Sequence, residues 1–324
     1  MHFGFAALFS VGALLAYASQ ANSEKNSGPT PPKQRVLARG LKFPEGPALS
    51  SDGQYLYCVN CESSAISRID LKRGKFDAAW ATLPDGGKGN GATMGVDGFL
   101  YVADHAAKRI VRINTASKQI TTIVDKNEAG GALRGPNDLV FDGKGGLYFT
   151  DPAGSWEEPV GAVYYAAPGT RQVTKIADGL RFPNGIALSP DGLTLYVVIS
   201  PEHTILAFDI TASGVVAPES RRVFTTVSEK NGGDGMRFSK DGFLYVAVFG
   251  DGLVVKIDPS GQIVDRYPVN AGKNITNLCF SKDGKSIYVT ETQSNTVVQI
   301  PFPRTKSTPP TEPTYIPPRG KATD

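Results

Sequence analysis

The stretch GVDGFLYVAD, Gly95 to Asp104, places a tight turn directly before a strand, and the chain repeats it. In the Asp-Gly pair, glycine supplies the positive φ that a hairpin needs, and the Phe-Leu-Tyr-Val run that follows suits a pleated, half-buried surface. The same pattern returns as SSDGQYLYCVN (50–60), GKGGLYFTD (143–151), SPDGLTLYVVI (189–199), SKDGFLYVAVF (239–249) and SKDGKSIYVTE (281–291). With Asp52, Asp97, Lys144, Asp191, Asp241 and Asp283 as equivalent positions, the separations are 45, 47, 47, 50 and 42 residues. A period of about 45 residues accommodates four short strands. Each unit holds a strand running into the turn, a second around Leu-Tyr-Val, and a third such as AISRIDL, RIVRINT, LVVKIDP or TVVQIPF. No useful length of helical periodicity lies between the units to cover a parallel sheet. An all-β, six-bladed β-propeller with four antiparallel strands per blade is therefore predicted.

The sixth unit ends after TVVQI and lacks an outermost strand. A second repeat supplies it. RVLARGLKFPEGPAL (35–49) parallels TKIADGLRFPNGIAL (174–188), so RVLAR is an outer strand with no preceding blade of its own. Residues 35–39 are expected to pair with residues 296–300, closing the ring and removing two exposed sheet edges.

The flanks differ from the repeat in composition. Residues 1–22 contain an apolar run, FGFAALFSVGALLA, too short to span a bilayer, followed by AYASQA, and read as a signal peptide cleaved after Ala18 or Ala21. His2 stands where a Lys or Arg flank is usual, which keeps a short membrane anchor as the alternative. Residues 23–34 read as a disordered linker, 35–303 as the propeller and 304–324 as a proline-rich tail. A secreted or periplasmic protein, with no stable membrane insertion after cleavage, is expected. The net charge of +3 and the lack of a basic run interleaved with aromatics argue against nucleic acid as a partner. Cys58, Cys61 and Cys279 are odd in number, so at least one is free or pairs with another chain. The CVNC spacing resembles a redox or zinc pair but lies in a strand-like stretch with no second CxxC or histidine cluster, which favours a buried structural role.

Counting back seven residues from each turn position gives Glu45, Asn90, Asn137, Asn184, Asp234 and Thr276. All are polar, and all fall where the innermost strand of a blade begins, close to the propeller axis. A wet channel mouth alone would account for polar residues there. Two details favour a ligand: most members are flanked by Gly or Pro, which lets a ligand approach, and the set combines two carboxylates with neutral oxygens. Glu45 and Asp234 would balance a 2+ charge while Asn184 and Asn137 add carbonyl dipoles. Oxygen ligation favours Ca²⁺ first, then Mg²⁺ or Mn²⁺, with Zn²⁺ kept as an alternative. Asn274-Ile-Thr276 fits a glycosylation acceptor, but Thr276 belongs to the ring and the match reads as coincidence.

Over roughly residues 36–302 the sequence resembles the senescence marker protein, gluconolactonase and luciferin-regenerating enzyme group of six-bladed propellers. The likeness lies in PEGP (44–47), VADH followed by KRI (102–110), RGPNDLVFDGKGGLYFTDP (134–152), GLRFPNGIALSPDG (179–192), GGDGMRFSKDGFLYVA (232–247) and TNLCFSKDGKSIYVTE (276–291), with the third stretch most like the bacterial gluconolactonase branch. The resemblance implies one divalent cation held by Glu45, Asn184 and Asp234, with Asn137 beside it as a further donor that also touches substrate. It implies hydrolysis of a sugar lactone with Asp234 as general base and Arg134 binding substrate. Asn90 and His105 are assigned to the substrate side, Asp151 and Thr276 to supporting positions.

The chemistry is consistent. A lactone is an ester, and a divalent ion both polarises its carbonyl and lowers the pKa of water. No GxSxG elbow is present for a serine nucleophile. The competing expectations are a non-catalytic binding or scaffold propeller with a structural ion, and a lactonase or esterase acting on a non-sugar ester.

Overall fold

The Asp-Gly hairpins are built by their own repeat. Ser50 Oγ donates to Asp52 Oδ1 at 2.6 Å, the same carboxylate oxygen accepts the Gln54 N–H, and Ser50 Oγ accepts the Tyr55 N–H at 2.8 Å. Ser189 with Asp191 and Ser281 with Asp283 repeat this arrangement. The serine and aspartate thus satisfy the turn amides that the strands leave unpaired.

A computed structural model describes residues 33–171 and 173–302. The expected signal peptide, all but the last two residues of the expected linker, and the expected tail lie outside the described residues. The chain begins with β1 (Arg35–Arg39). Blade 1 follows as β2 (Pro44–Leu49), β3 (Tyr55–Asn60), β4 (Ala65–Asp70) and β5 (Lys75–Thr82), and blade 2 as β6 (Gly89–Met94), β7 (Phe99–Asp104), β8 (Arg109–Asn114) and β9 (Ile120–Val124). Blade 3 is β10 (Leu139–Phe141), β11 (Leu147–Asp151), β12 (Gly161–Ala166) and β13 (Val173–Leu180). Blade 4 is β14 (Pro183–Leu188), β15 (Thr194–Ile199), β16 (Thr204–Ala212), a short β17 (Val215–Val216) and β18 (Arg222–Thr226). Blade 5 is β19 (Gly233–Phe238), β20 (Leu244–Val248), β21 (Leu253–Ile257) and β22 (Ile263–Pro268), and blade 6 is β23 (Ile275–Phe280), β24 (Ser286–Glu291) and β25 (Thr296–Pro301) completed by β1.

Six antiparallel sheets therefore form a six-bladed propeller. Blade 4 exceeds the expected four strands because β17 folds back as a hairpin onto the end of β16. The only helical element among the described residues is a single 3₁₀ turn, Ser200–Glu202. The expected closure holds: Arg35 pairs with Gln299 and Arg39 with Thr296, across one register shift.

Six hydrophobic clusters hold the ring, each lying between two consecutive blades. Between blades 1 and 2, Tyr57, Val59 and Trp80 pack with Leu100, Val102 and Val111. At the closure, Ala38 and Leu41 join Leu56, Cys58, Tyr288 and Val297. Cys58 behaves there as a small buried apolar group, and all three cysteines are free thiols.

Candidate active site at the channel mouth

The inner strands approach so closely that their glycines have no substitute. A Cβ on Gly46 would stand 2.4 Å from Ala92 N, and one on Gly185 would stand 2.1 Å from Asp234 O. Gly91 and Gly235 meet the next blade in the same way. These glycines each follow a ring residue, so the expectation that they make room for a ligand is corrected: they make room for the neighbouring blade. Blades 3 and 6 carry Asp138 and Asn277 at this position instead, and both are buried.

Packed this way, the ring residues converge. Glu45, Asn90, Asn137, Asn184 and Asp234 line one cavity of about 460 Å³ together with Ser200, His203, Lys230, Asn231, and an aromatic wall of Phe43, Trp156, Phe182 and Phe249. Glu45 is only 3% exposed and Asp234 only 9%. Burial pushes the Glu45 carboxyl up to about 8; the charge of Asp138 adds to this, while the Gly46 N–H, the Asn277 amide and Arg237 oppose it. Burial also raises Asp234 well above the usual carboxylate range, helped by the charges of Glu45 and Asp138 and opposed by a hydrogen bond from Asn184.

Asn184 has a fixed orientation. Its Nδ2 donates to Ser200 Oγ at 3.2 Å, and Ser200 Oγ in turn donates to Gly233 O at 2.7 Å, so the hydroxyl must accept from the amide. Asn184 Oδ1 is then left buried with no hydrogen-bond donor. A desolvated carbonyl oxygen without a partner costs about 1–3 kcal/mol unless something electropositive meets it. An orphaned acceptor beside two buried carboxylates is a donor set that fits a hard divalent cation. Among the described residues no three His, Cys, Asp or Glu side chains cluster as a metal site. The set here is instead two carboxylates with amide oxygens.

The remaining expected residues lie elsewhere. Thr276 is fully buried and does not line the cavity; its hydroxyl donates to Pro44 O at 2.8 Å, tying blade 6 to blade 1. Asp151 caps a loop, accepting the Arg134 backbone N–H at 2.8 Å. Asn60, Asp104 and Glu291 cap loops at the matching strand ends of blades 1, 2 and 6. Arg134 does not line the cavity, because its guanidinium is taken by the Val160 carbonyl. His105 does not line it either; its ring bonds the Cys61 backbone, burial lowers its pKa, and its Nε2 is buried without a partner. Sequence reading missed Ser200, Asp138, Asn277 and Arg237. A signal existed for two of them: the residue after the ring position is glycine in blades 1, 2, 4 and 5, whereas Asp138 and Asn277 replace it in blades 3 and 6.

A propeller whose channel mouth gathers buried acids and amides around a small-molecule cavity defines the class. The chain belongs to the SMP-30/Gluconolactonase/LRE-like family, whose pattern matches residues 43–293. It is 28% identical over 299 residues to a gluconolactonase of Zymomonas mobilis, covering 84% of this chain and 81% of that one. It is 36% identical over 255 residues to lactonase drp35 of Staphylococcus epidermidis, covering 75% and 76%. A solved gluconolactonase of Xanthomonas campestris superposes with a TM-score of 0.73 at 25% identity, over 83% of this chain and 89% of that one.

Proposed function

We propose that this protein is a divalent-metal-dependent hydrolase that opens lactones, sugar lactones first, a reading supported by its gluconolactonase and lactonase relatives. The observation that carries it is the orphaned, buried Asn184 Oδ1 beside Glu45 and Asp234. Glu45, Asn184 and Asp234 would hold the cation, with Asn137 as a further oxygen donor, and Ca²⁺ fits this hard oxygen set best. A divalent ion there supplies Lewis acidity toward the ester carbonyl and toward water. Asp234 accepts the proton of the attacking water, a general-base contribution of about 10²- to 10⁴-fold. Water adds to the carbonyl carbon, the ring C–O bond breaks, the leaving ring oxygen takes the proton held by Asp234, and the product acid releases its own proton to solvent. Asn90 and Asn137 face the ring substituents with amide donors and acceptors.

A second reading is favoured by the aromatic wall. Phe43 and Phe182 hold left-handed backbone, with φ of 53° and 42°, directly before proline, and Trp156 packs on Phe182 with ring centroids 4.9 Å apart. Bulky residues rarely adopt that conformation, which costs about 1–3 kcal/mol and tends to persist where function requires it. An ester carrying an apolar or aromatic substituent would use this wall.

Acid release separates the two. Faster turnover of δ-gluconolactone than of an aromatic δ-lactone supports the sugar reading. Preference for the aromatic lactone, reduced by Trp156→Ala through a raised KM, supports the second. No turnover of either with cation supplied rejects both. The proposal extends to location: the apolar run of residues 3–16 supports export, and recovery of a mature chain beginning near residue 19 or 22 outside the cytoplasm would test it.

A further inference from the structure

The channel carries a third buried carboxylate and a guanidinium that the proposed chemistry leaves unused. Arg237, three residues after Asp234 on β19, donates from Nη1 to Asp138 Oδ2 at 3.0 Å and from Nη2 to Asp138 Oδ1 at 3.2 Å. Its other contacts are backbone carbonyls: Met236 O at 2.7 Å and Ala92 O at 3.4 Å. The side chain of Asp138 is 1% exposed and that of Arg237 16%. One guanidinium thus connects three blades: β19, which carries Asp234; the segment leading into β10, which carries Asn137 next to Asp138; and β6, which carries Asn90.

The pair also sets the charge of the site. Asp138 acts electrostatically on both Glu45 and Asp234, and Arg237 acts on Glu45 with the opposite sign. Three carboxylates less one guanidinium leave a charge of two minus when all four groups are ionised, the amount one divalent cation balances. A buried ion pair is seldom kept for stability alone, because desolvation offsets most of its attraction. We propose that Asp138 and Arg237 are positioning residues that tune, through their opposite charges, the cation affinity of the Glu45–Asn184–Asp234 site. The inference rests on the metal-dependent reading of the site.

Opposite charges give opposite signs, which a merely structural pair would not. Calcium titration of the purified protein by calorimetry, with a competing chelator where binding is tight, reads the effect. Asp138→Asn should weaken Ca²⁺ binding and Arg237→Gln should tighten it, each by about tenfold or more, the scale for a unit charge acting on a divalent ion at an effective dielectric near 20. The double variant should return to within a few fold of the parent, and Arg237→Lys should hold the parental affinity. Both single variants weakening binding alike, or neither changing it, would overturn the inference and leave the lactonase reading intact. Should Arg237→Gln fail to fold, Asp138→Asn and Arg237→Lys still decide: unchanged affinity in Asp138→Asn, or tenfold tightening in Arg237→Lys, overturns it. A parent protein that binds none of Ca²⁺, Mg²⁺, Mn²⁺ or Zn²⁺ would overturn this inference and the metal-dependent reading together.

Discussion

Glu45 and Asn184 occupy the same backbone position in blades 1 and 4, and the difference between them is one of charge against dipole. For Glu45 that charge has a measurable consequence. Its carboxyl stands near 8 in the fold against an ordinary value of 4.5, so the metal-free fold holds a proton that the unfolded chain releases. The associated stability is fully present below about pH 4.5 and is lost as pH rises through about 8. Thermal denaturation of chelated protein should show a Tm that falls between pH 5 and 8.5, and Glu45→Gln should flatten the slope. Added Ca²⁺ should flatten it too. A slope unchanged by Glu45→Gln would remove the carboxyl from this role. The ring itself was legible in the sequence, because a fixed offset from a repeated turn finds equivalent positions without any structure. Arg237 and Ser200 were not, since Arg237 matters through Asp138 and Ala92 of other blades, and Ser200 through Asn184 and Gly233, all of them distant in sequence.

At the scale of the strand, the glycines beside the ring residues do more than permit a turn. Gly185→Ala would force Cβ against the Asp234 carbonyl, 2.1 Å away, and separate the strands that carry Asn184 and Asp234. Overpacking of this kind costs about 3 kcal/mol. A matched drop in Tm and in calcium affinity is expected. Gly179 supplies the comparison: it has φ of +64°, and a methyl group added there would meet nothing within 4 Å. Gly179→Ala should therefore cost only about 1 kcal/mol of backbone preference and leave metal binding alone. Equal losses from the two substitutions would contradict the close-approach explanation. The strands and hairpins were readable from Asp-Gly turns and alternating apolar runs. The role of the glycines was misjudged because sequence shows that space is needed without showing what fills it.

For the whole molecule, the decisive element is the first one. β1 covers the edge of β25 and contributes Ala38 to the last interblade cluster. Deleting residues 35–39 should expose that edge, lower Tm by several degrees and promote association, visible as a larger species in size-exclusion chromatography. A monomer of unchanged Tm would show the ring closes without it. This closure was predictable because RVLAR has a counterpart before GLRFPNG, whereas the extra hairpin of blade 4 has no counterpart in the repeat. The cavity depends on the closed ring, since Glu45 comes from blade 1 and Asp234 from blade 5. The central claim is that these side chains hold a cation on which lactone hydrolysis depends. Its most direct test is acid release from a lactone substrate by chelated protein, before and after Ca²⁺ is restored, with Asp234→Asn in parallel. The account predicts activity that vanishes on chelation, returns with the ion and stays at least about 10²-fold lower in the variant. Full activity in the chelated protein, or in Asp234→Asn, would contradict it.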